Sequence, residues 1–133
     1  MTINGYALEE ASSVEVIAAY AAPMTVIQGV TATPGWYSVG MFFLSRTVEN
    51  VRLEVIGLVS QAAGLTMNAR LFSVADAAVV SGSGLQITAN AFTLQRSGKI
   101  ALTGQRSYLI QAECVGGNAL NEYGIVKTAT VTD

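Results

Sequence analysis

Val51-Arg52-Leu53-Glu54-Val55 decides the fold: apolar side chains at 51, 53 and 55 alternate with charges at 52 and 54. Successive side chains of a strand point to opposite faces, so this spacing turns valine and leucine towards a core and arginine and glutamate towards water. The continuation Ile56-Gly57-Leu58-Val59 drops the polar half of the alternation, which implies that the far end of this strand is covered.

The same period recurs on both sides. Downstream, Leu65-Thr66-Met67-Asn68-Ala69-Arg70-Leu71 repeats it, and Val79-Val80 and Leu85-Gln86-Ile87-Thr88-Ala89 flank the flexible turn Ser81-Gly82-Ser83-Gly84. Phe92-Thr93-Leu94, Ile100-Ala101-Leu102 and residues 106–115 follow, separated by turns at Ser97-Gly98 and Thr103-Gly104, and residues 124–132 close the pattern. Upstream, residues 24–30 and 36–44 are β-branched and aromatic runs joined by Thr31-Ala32-Thr33-Pro34-Gly35. About nine or ten strands at such spacing, with no alternating helices, predict an all-β fold: an antiparallel β-sandwich, jelly-roll-like, with an extended N-terminal arm. Periodicity leaves strand order open between jelly-roll and immunoglobulin-like sandwiches. With no repeat and no long linker, residues 1–133 are expected to form one domain. Residues 1–22 are the arm. Leu8-Glu9-Glu10-Ala11 favours helix there while Val14, Val16 and Tyr20 suit a strand, so an extended segment with a short helical turn is expected.

Hydrophobic residues make up 51% of the chain and charged ones only 12%, against about 25% charged in ordinary soluble domains. Such a surface must be hidden in lipid or against other protein. The longest uncharged run, residues 16–45, is interrupted by Pro23, Gln28, Gly29, Pro34 and Gly35, leaving pieces shorter than the ~20 apolar residues of a membrane helix. Membrane is therefore not an expected partner. The first basic residue is Arg46, while the early charges are Glu9, Glu10 and Glu15, so no export-signal pattern is visible. A net charge of −2 with basic residues scattered from Arg46 to Lys127 forms no stripe for a phosphate backbone, and nucleic acid is not an expected partner either. The single cysteine excludes an internal disulfide and suits folding in a reducing cytoplasm.

The inventory is poor in chemistry. Absence of histidine removes the commonest general base and transition-metal ligand. Alternation places Cys114 on one face with Tyr108, Ile110 and Ala112, so it reads as a buried, inert thiol. Spacing selects no catalytic pair from Glu49, Glu54, Asp76, Glu113 and Glu122, of which Glu54 and Glu113 read as solvent-facing strand positions. Asp76 and Asp133 are too far apart in sequence for a calcium loop, and Gly82-Ser83-Gly84 and Gly116-Gly117 lack the setting of a phosphate cradle. No catalytic, cofactor-binding or metal-ligating residue is expected. The aromatic cluster of Trp36 and Tyr37, with Phe42 and Phe43 beyond, offers a stacking face for a sugar or an anchor for a partner, although a tryptophan opening an apolar strand reads first as core. Trp36, Tyr37 and Tyr20 are the residues expected at a partner or ligand contact.

Ala69-Arg70-Leu71-Phe72, the turn at 81–84, the strand at 98–102 and Tyr108-Leu109-Ile110-Gln111 together resemble the second half of small jelly-roll sandwiches. These include virion accessory proteins of tailed bacteriophages and carbohydrate-binding modules. The low charge, the Ala/Thr/Val/Gly-rich composition and the apolar N-terminal arm are more similar to the phage proteins that decorate or cement a capsid. That resemblance implies a non-enzymatic structural virion protein, made in the host cytoplasm, acting without cofactor as a homo-oligomer, a trimer above all, on a capsid. The arm would then reach onto a neighbouring subunit or the capsid. The alternative resemblance implies a glycan-binding module; such modules usually carry several exposed aromatics or a calcium site, whereas this chain has one tryptophan and no obvious metal ligands.

Overall fold

Each period-2 segment folds as a strand, and the alternation sets which face it buries. The computed structural model describes residues 16–20, 35–60, 64–116 and 123–133, together with the backbone of residues 24–27. Eleven strands lie among them: β1 (Val16–Tyr20), β2 (Met24–Ile27), β3 (Tyr37–Leu44), β4 (Val48–Val59), β5 (Leu65–Ser73), β6 (Ala78–Val79), β7 (Leu85–Ile87), β8 (Thr93–Arg96), β9 (Ile100–Leu102), β10 (Arg106–Gly116) and β11 (Tyr123–Thr132). Within the stretch 1–22 expected to be an arm, the described part is β1, which pairs antiparallel with β11 as an edge strand of a sheet. Residues 1–15, where the sequence places a helical turn, lie outside the described residues.

All pairings are antiparallel and make two sheets. In the first, β4 and β11 are central, with β8 and β9 along the free side of β4 and β1 and β2 along that of β11; in the second the order is β3, β10, β5, with β6 and β7 side by side on β5. Taking each split edge strand as one, the chain order within the sheets is that of a jelly roll, in which successive strands cross between two four-stranded layers except from β5 to the β6/β7 edge, which stay in one sheet. This resolves the strand order that periodicity left open.

Two of the splits have a common chemistry. Where β8 gives way to β9, the Ser97 hydroxyl accepts from the Leu53 amide at 2.9 Å; where β6 gives way to β7, the Ser83 hydroxyl accepts from the Leu71 amide at 3.0 Å. Both serines are buried. Each supplies the acceptor that the interrupted strand no longer offers, so neither central strand leaves that donor orphaned in the interior.

The core lies between the sheets. β4 contributes Val51, Leu53, Val55 and Val59, β5 contributes Leu65, Met67 and Leu71, and β10 contributes Ile110, Ala112 and Cys114, all essentially inaccessible to water. Cys114 thus sits where alternation places it. A fully buried aliphatic side chain stabilises the fold by about 1.5–3 kcal/mol. At one end the fit depends on missing side chains: a Cβ on Gly57 would lie 2.7 Å from Met67 Cε, and one on Gly124 would lie 2.7 Å from Met67 Sδ. Two glycines of the first sheet are therefore the seat for one methionine of the second.

Tyr108 closes the other part of the core, stacked on Phe42 with ring centroids 5.6 Å apart, while its hydroxyl donates to the Thr103 carbonyl at 2.8 Å. That bond pins the connection between β9 and β10. Burial pushes the phenol above its ordinary value, with the Arg106 charge and the Thr103 bond acting in the lowering direction. Because the folded-state pKa is the raised one, the protonated phenol's contribution is fully present below the unfolded value and is lost as pH climbs through the folded one. Urea denaturation midpoints should fall in the alkaline range beyond that of free tyrosine, about pH 10, and Tyr108→Phe should flatten that fall. An unchanged alkaline slope in the variant would contradict this role.

Candidate functional site

Among the described residues no helix is long and apolar enough to cross a membrane, and no group of three or more Cys, Asp or Glu side chains is placed to hold a metal. Three of the described acidic side chains are engaged separately: Glu54 pairs with Arg96 at 2.9 Å, Asp76 with Arg106 at 2.7 Å, and Glu113 accepts from Asn68 at 3.1 Å. Glu54 and Glu113 project from the outer faces of their sheets, as alternation predicts. Glu122 lies outside the described residues.

Chemistry that faces outwards is concentrated on the second sheet. Its central strands present Thr66, Asn68, Arg70 and Phe72 from β5 and Ser107, Leu109, Gln111 and Glu113 from β10. The register divides this face in two. Met41, Leu109, Phe72 and Val79 stand opposite one another across β3, β10, β5 and β6, making one apolar row through four strands. Phe43, opposite Ser107, extends it along the edge. Met41 is 62% exposed and Phe43 61%, so the single chain leaves these large side chains on the edge strand uncovered.

The other half is polar. Gln111 stands opposite Arg70, and Glu113 opposite Asn68. The Arg70 Nε donates to Gln111 Oε1 at 2.8 Å, and the guanidinium carbon lies 3.7 Å from the centre of the Trp36 ring and 5.9 Å from that of Phe72. Trp36, Asn68, Arg70, Val79, Leu85 and Gln86 border an open shelf of about 410 Å³, within the range of small-molecule sites. A second hollow of about 520 Å³ at the charged end of β4 holds Arg52, Glu54, Arg96 and Lys99. There Arg96 is tied to Glu54, and Arg52 donates to the Ser97 carbonyl at 3.2 Å, so much of its charge is already partnered.

The structure disperses the three aromatic residues expected at one contact. Trp36 is half-buried on the outer shelf and is not part of the core, which corrects the reading of a strand-opening tryptophan as core: the strand proper begins one residue later, and Arg70 supplies the ring's packing. Tyr37 stands opposite the inward-facing Ala112 and so points to the other side of the sheet, at its rim, 38% exposed. Tyr20 crosses from β1 to the edge of β3, where its ring covers Gly40 and its hydroxyl donates to the Met41 carbonyl. A side chain at Gly40 would occupy the place of that ring. Tyr20 therefore blunts an edge strand, a common way of keeping such an edge from open-ended pairing.

Of the shelf, sequence reasoning found Trp36 and missed Arg70, Asn68 and Gln86. Their signal was present, since all three occupy outward positions of period-2 segments, but nothing local says which of those positions converge.

No family model and no curated protein matches the chain. Solved structures of similar fold include a carbohydrate-binding module, CBM36, in complex with calcium and xylotriose, with a TM-score of 0.53, 14% identity, and cover of 80% of this chain and 77% of that one. Another is the module CBM6cm-2 from Cellvibrio mixtus lichenase 5A in complex with cellotriose, with a TM-score of 0.55, 12% identity, and cover of 89% and 98%. A third is a chain of the infectious bursal disease virus, Gx strain, with a TM-score of 0.57 and 12% identity, where the match covers 90% of this chain and 32% of that one. At such identities the likeness is one of architecture, and it agrees with the strand order: this chain is an antiparallel jelly-roll sandwich, a fold it shares with carbohydrate-binding modules and with a viral protein.

Proposed function

We propose that this chain is a non-enzymatic structural assembly protein, a phage virion component that decorates or braces a capsid by packing against copies of itself and against the capsid. The observation that carries this reading is the apolar row ending in Met41 and Phe43, which stay more than 60% exposed although Leu109, Phe72 and Val79 extend them across the sheet. Covering apolar surface is worth about 25 cal/mol per Å², and a chain with 12% charged residues has little else to keep such a face in water. Closed oligomers place one patch repeatedly around an axis, and an exposed row at a sheet edge suits that arrangement. The fold shared with a viral chain supports the same reading. Light scattering over a dilution series is the test: a closed oligomer, a trimer above all, is expected, and a strict monomer at every concentration would remove the homo-oligomeric part of the proposal.

A second reading is favoured by the Trp36 shelf and by the two carbohydrate-binding modules of similar fold. In it the chain binds a glycan on the outer face of the second sheet, with Asn68 and Gln86 hydrogen bonding to hydroxyls. Trp36 is the only tryptophan, so its fluorescence reports on the shelf directly. A saturable change on titration with oligosaccharides is expected; a spectrum indifferent to every sugar would remove this reading.

A further inference from the structure

We infer that the Trp36 shelf selects a carboxylate-bearing sugar, a uronic or sialic acid residue, over neutral glycans. The inference rests on the glycan reading and narrows its ligand class.

The indole carries the argument. A tryptophan stacks on a neutral sugar through a bare ring face, and the face of Trp36 turned to Arg70 is not bare, since the guanidinium lies over it at 3.7 Å. The ring's work is to back and hold that cation. A second restraint comes from Gln111, whose Oε1 accepts from Arg70 Nε at 2.8 Å. With Nε committed and the plane fixed by stacking, the terminal nitrogens are the fork left for a ligand, and among the described residues no protein acceptor is seen for them. A guanidinium held in one orientation loses little entropy on pairing, and its fork matches the two oxygens of a carboxylate.

The surroundings agree. Among the described residues Arg70 is the only charged one bordering the shelf, and none of them brings a carboxylate to its lining. Glu113, two residues along β10 from Gln111, does not border it and accepts instead from Asn68 Nδ2 at 3.1 Å. Gln86 and Asn68 bring amides to the rim for hydroxyl groups, while the exposed Val79 supplies apolar surface for the C–H face of a pyranose. The combination of one ordered cation, two amides and an apolar flank is the complement of a sugar acid.

The test uses the whole chain and a matched pair of probes: an oligogalacturonate and the same oligosaccharide with its carboxylates reduced to alcohols. Trp36 fluorescence and titration calorimetry read binding. At low salt the acid should bind at least tenfold more tightly than the reduced form, and the margin should shrink with added salt. Arg70→Gln should abolish the margin and Arg70→Lys should restore only part of it, with unchanged thermal unfolding confirming that the variants fold. Equal affinity for the two probes would overturn the inference and leave the glycan reading standing; binding of neither would overturn both.

Discussion

The double variant Met41→Lys/Phe43→Lys is expected to be monomeric at concentrations where the natural chain is an oligomer. Both side chains stand on the outer face of β3, opposite Leu109 and Ser107, and both are more than 60% exposed in the single chain. Their removal therefore costs the isolated domain little, within about 0.5 kcal/mol for exposed substitutions. In an interface the sum is different. A central apolar anchor is worth about 2 kcal/mol or more, and a lysine forced into that position adds the penalty of burying an unpaired charge. Two such changes raise the dissociation constant roughly a thousandfold, at about 1.4 kcal/mol per decade. Light scattering reads the mass and urea denaturation of the monomer confirms the fold. An oligomer of the same size in the variant would show that the apolar row is not the contact.

The largest effect on stability is expected at Met67. Met67→Ala should destabilise the fold by about 2–5 kcal/mol, since removing a fully buried side chain costs both its transfer energy and the cavity it leaves. The two glycines beneath it make a sharper test. A methyl group at Gly124 would stand 2.7 Å from Met67 Sδ and 3.3 Å from the Leu58 carbonyl, so the clash is chiefly with the side chain. Gly124→Ala alone should cost about 1–3 kcal/mol as overpacking. In the Met67→Ala background its methyl enters vacated space, so the double variant should be more stable than the sum of the single ones by at least about 1 kcal/mol. Gly57 is the internal control: its Cβ would also stand 2.6 Å from the Ile125 carbonyl, which is backbone, so shortening Met67 does not relieve it. Strict additivity at Gly124, read from urea midpoints, would mean that the sheets adjust rather than lock at this point.

Much of the fold was legible because alternation is a local property. Among the described residues each segment read as a strand forms one, and Cys114, Glu54 and Glu113 lie on the faces their parity assigns. The reading of Trp36 as core did not hold. The expectation that Trp36 enters the core failed because burial was read from the apolar strand it introduces, whereas the residue precedes β3 and packs on an arginine from β5. Nothing within a few residues of Trp36 announces Arg70, which follows it by more than thirty positions.

What the sequence alone determined is the period, and through it the all-β class, the inward and outward sets of residues, and a shortage of charge that points towards partner surfaces. A side chain's face follows from its own parity along the strand, and no knowledge of neighbours is needed to read it. Tertiary structure decided everything that depends on register between strands distant in sequence. It set Met41, Leu109, Phe72 and Val79 in one row, brought Gln111 to Arg70, and carried the Tyr20 ring onto Gly40. Register is a global quantity: sliding one strand by two residues preserves every inward and outward assignment yet changes every cross-strand partner, so both candidate surfaces exist only once the sheets have paired.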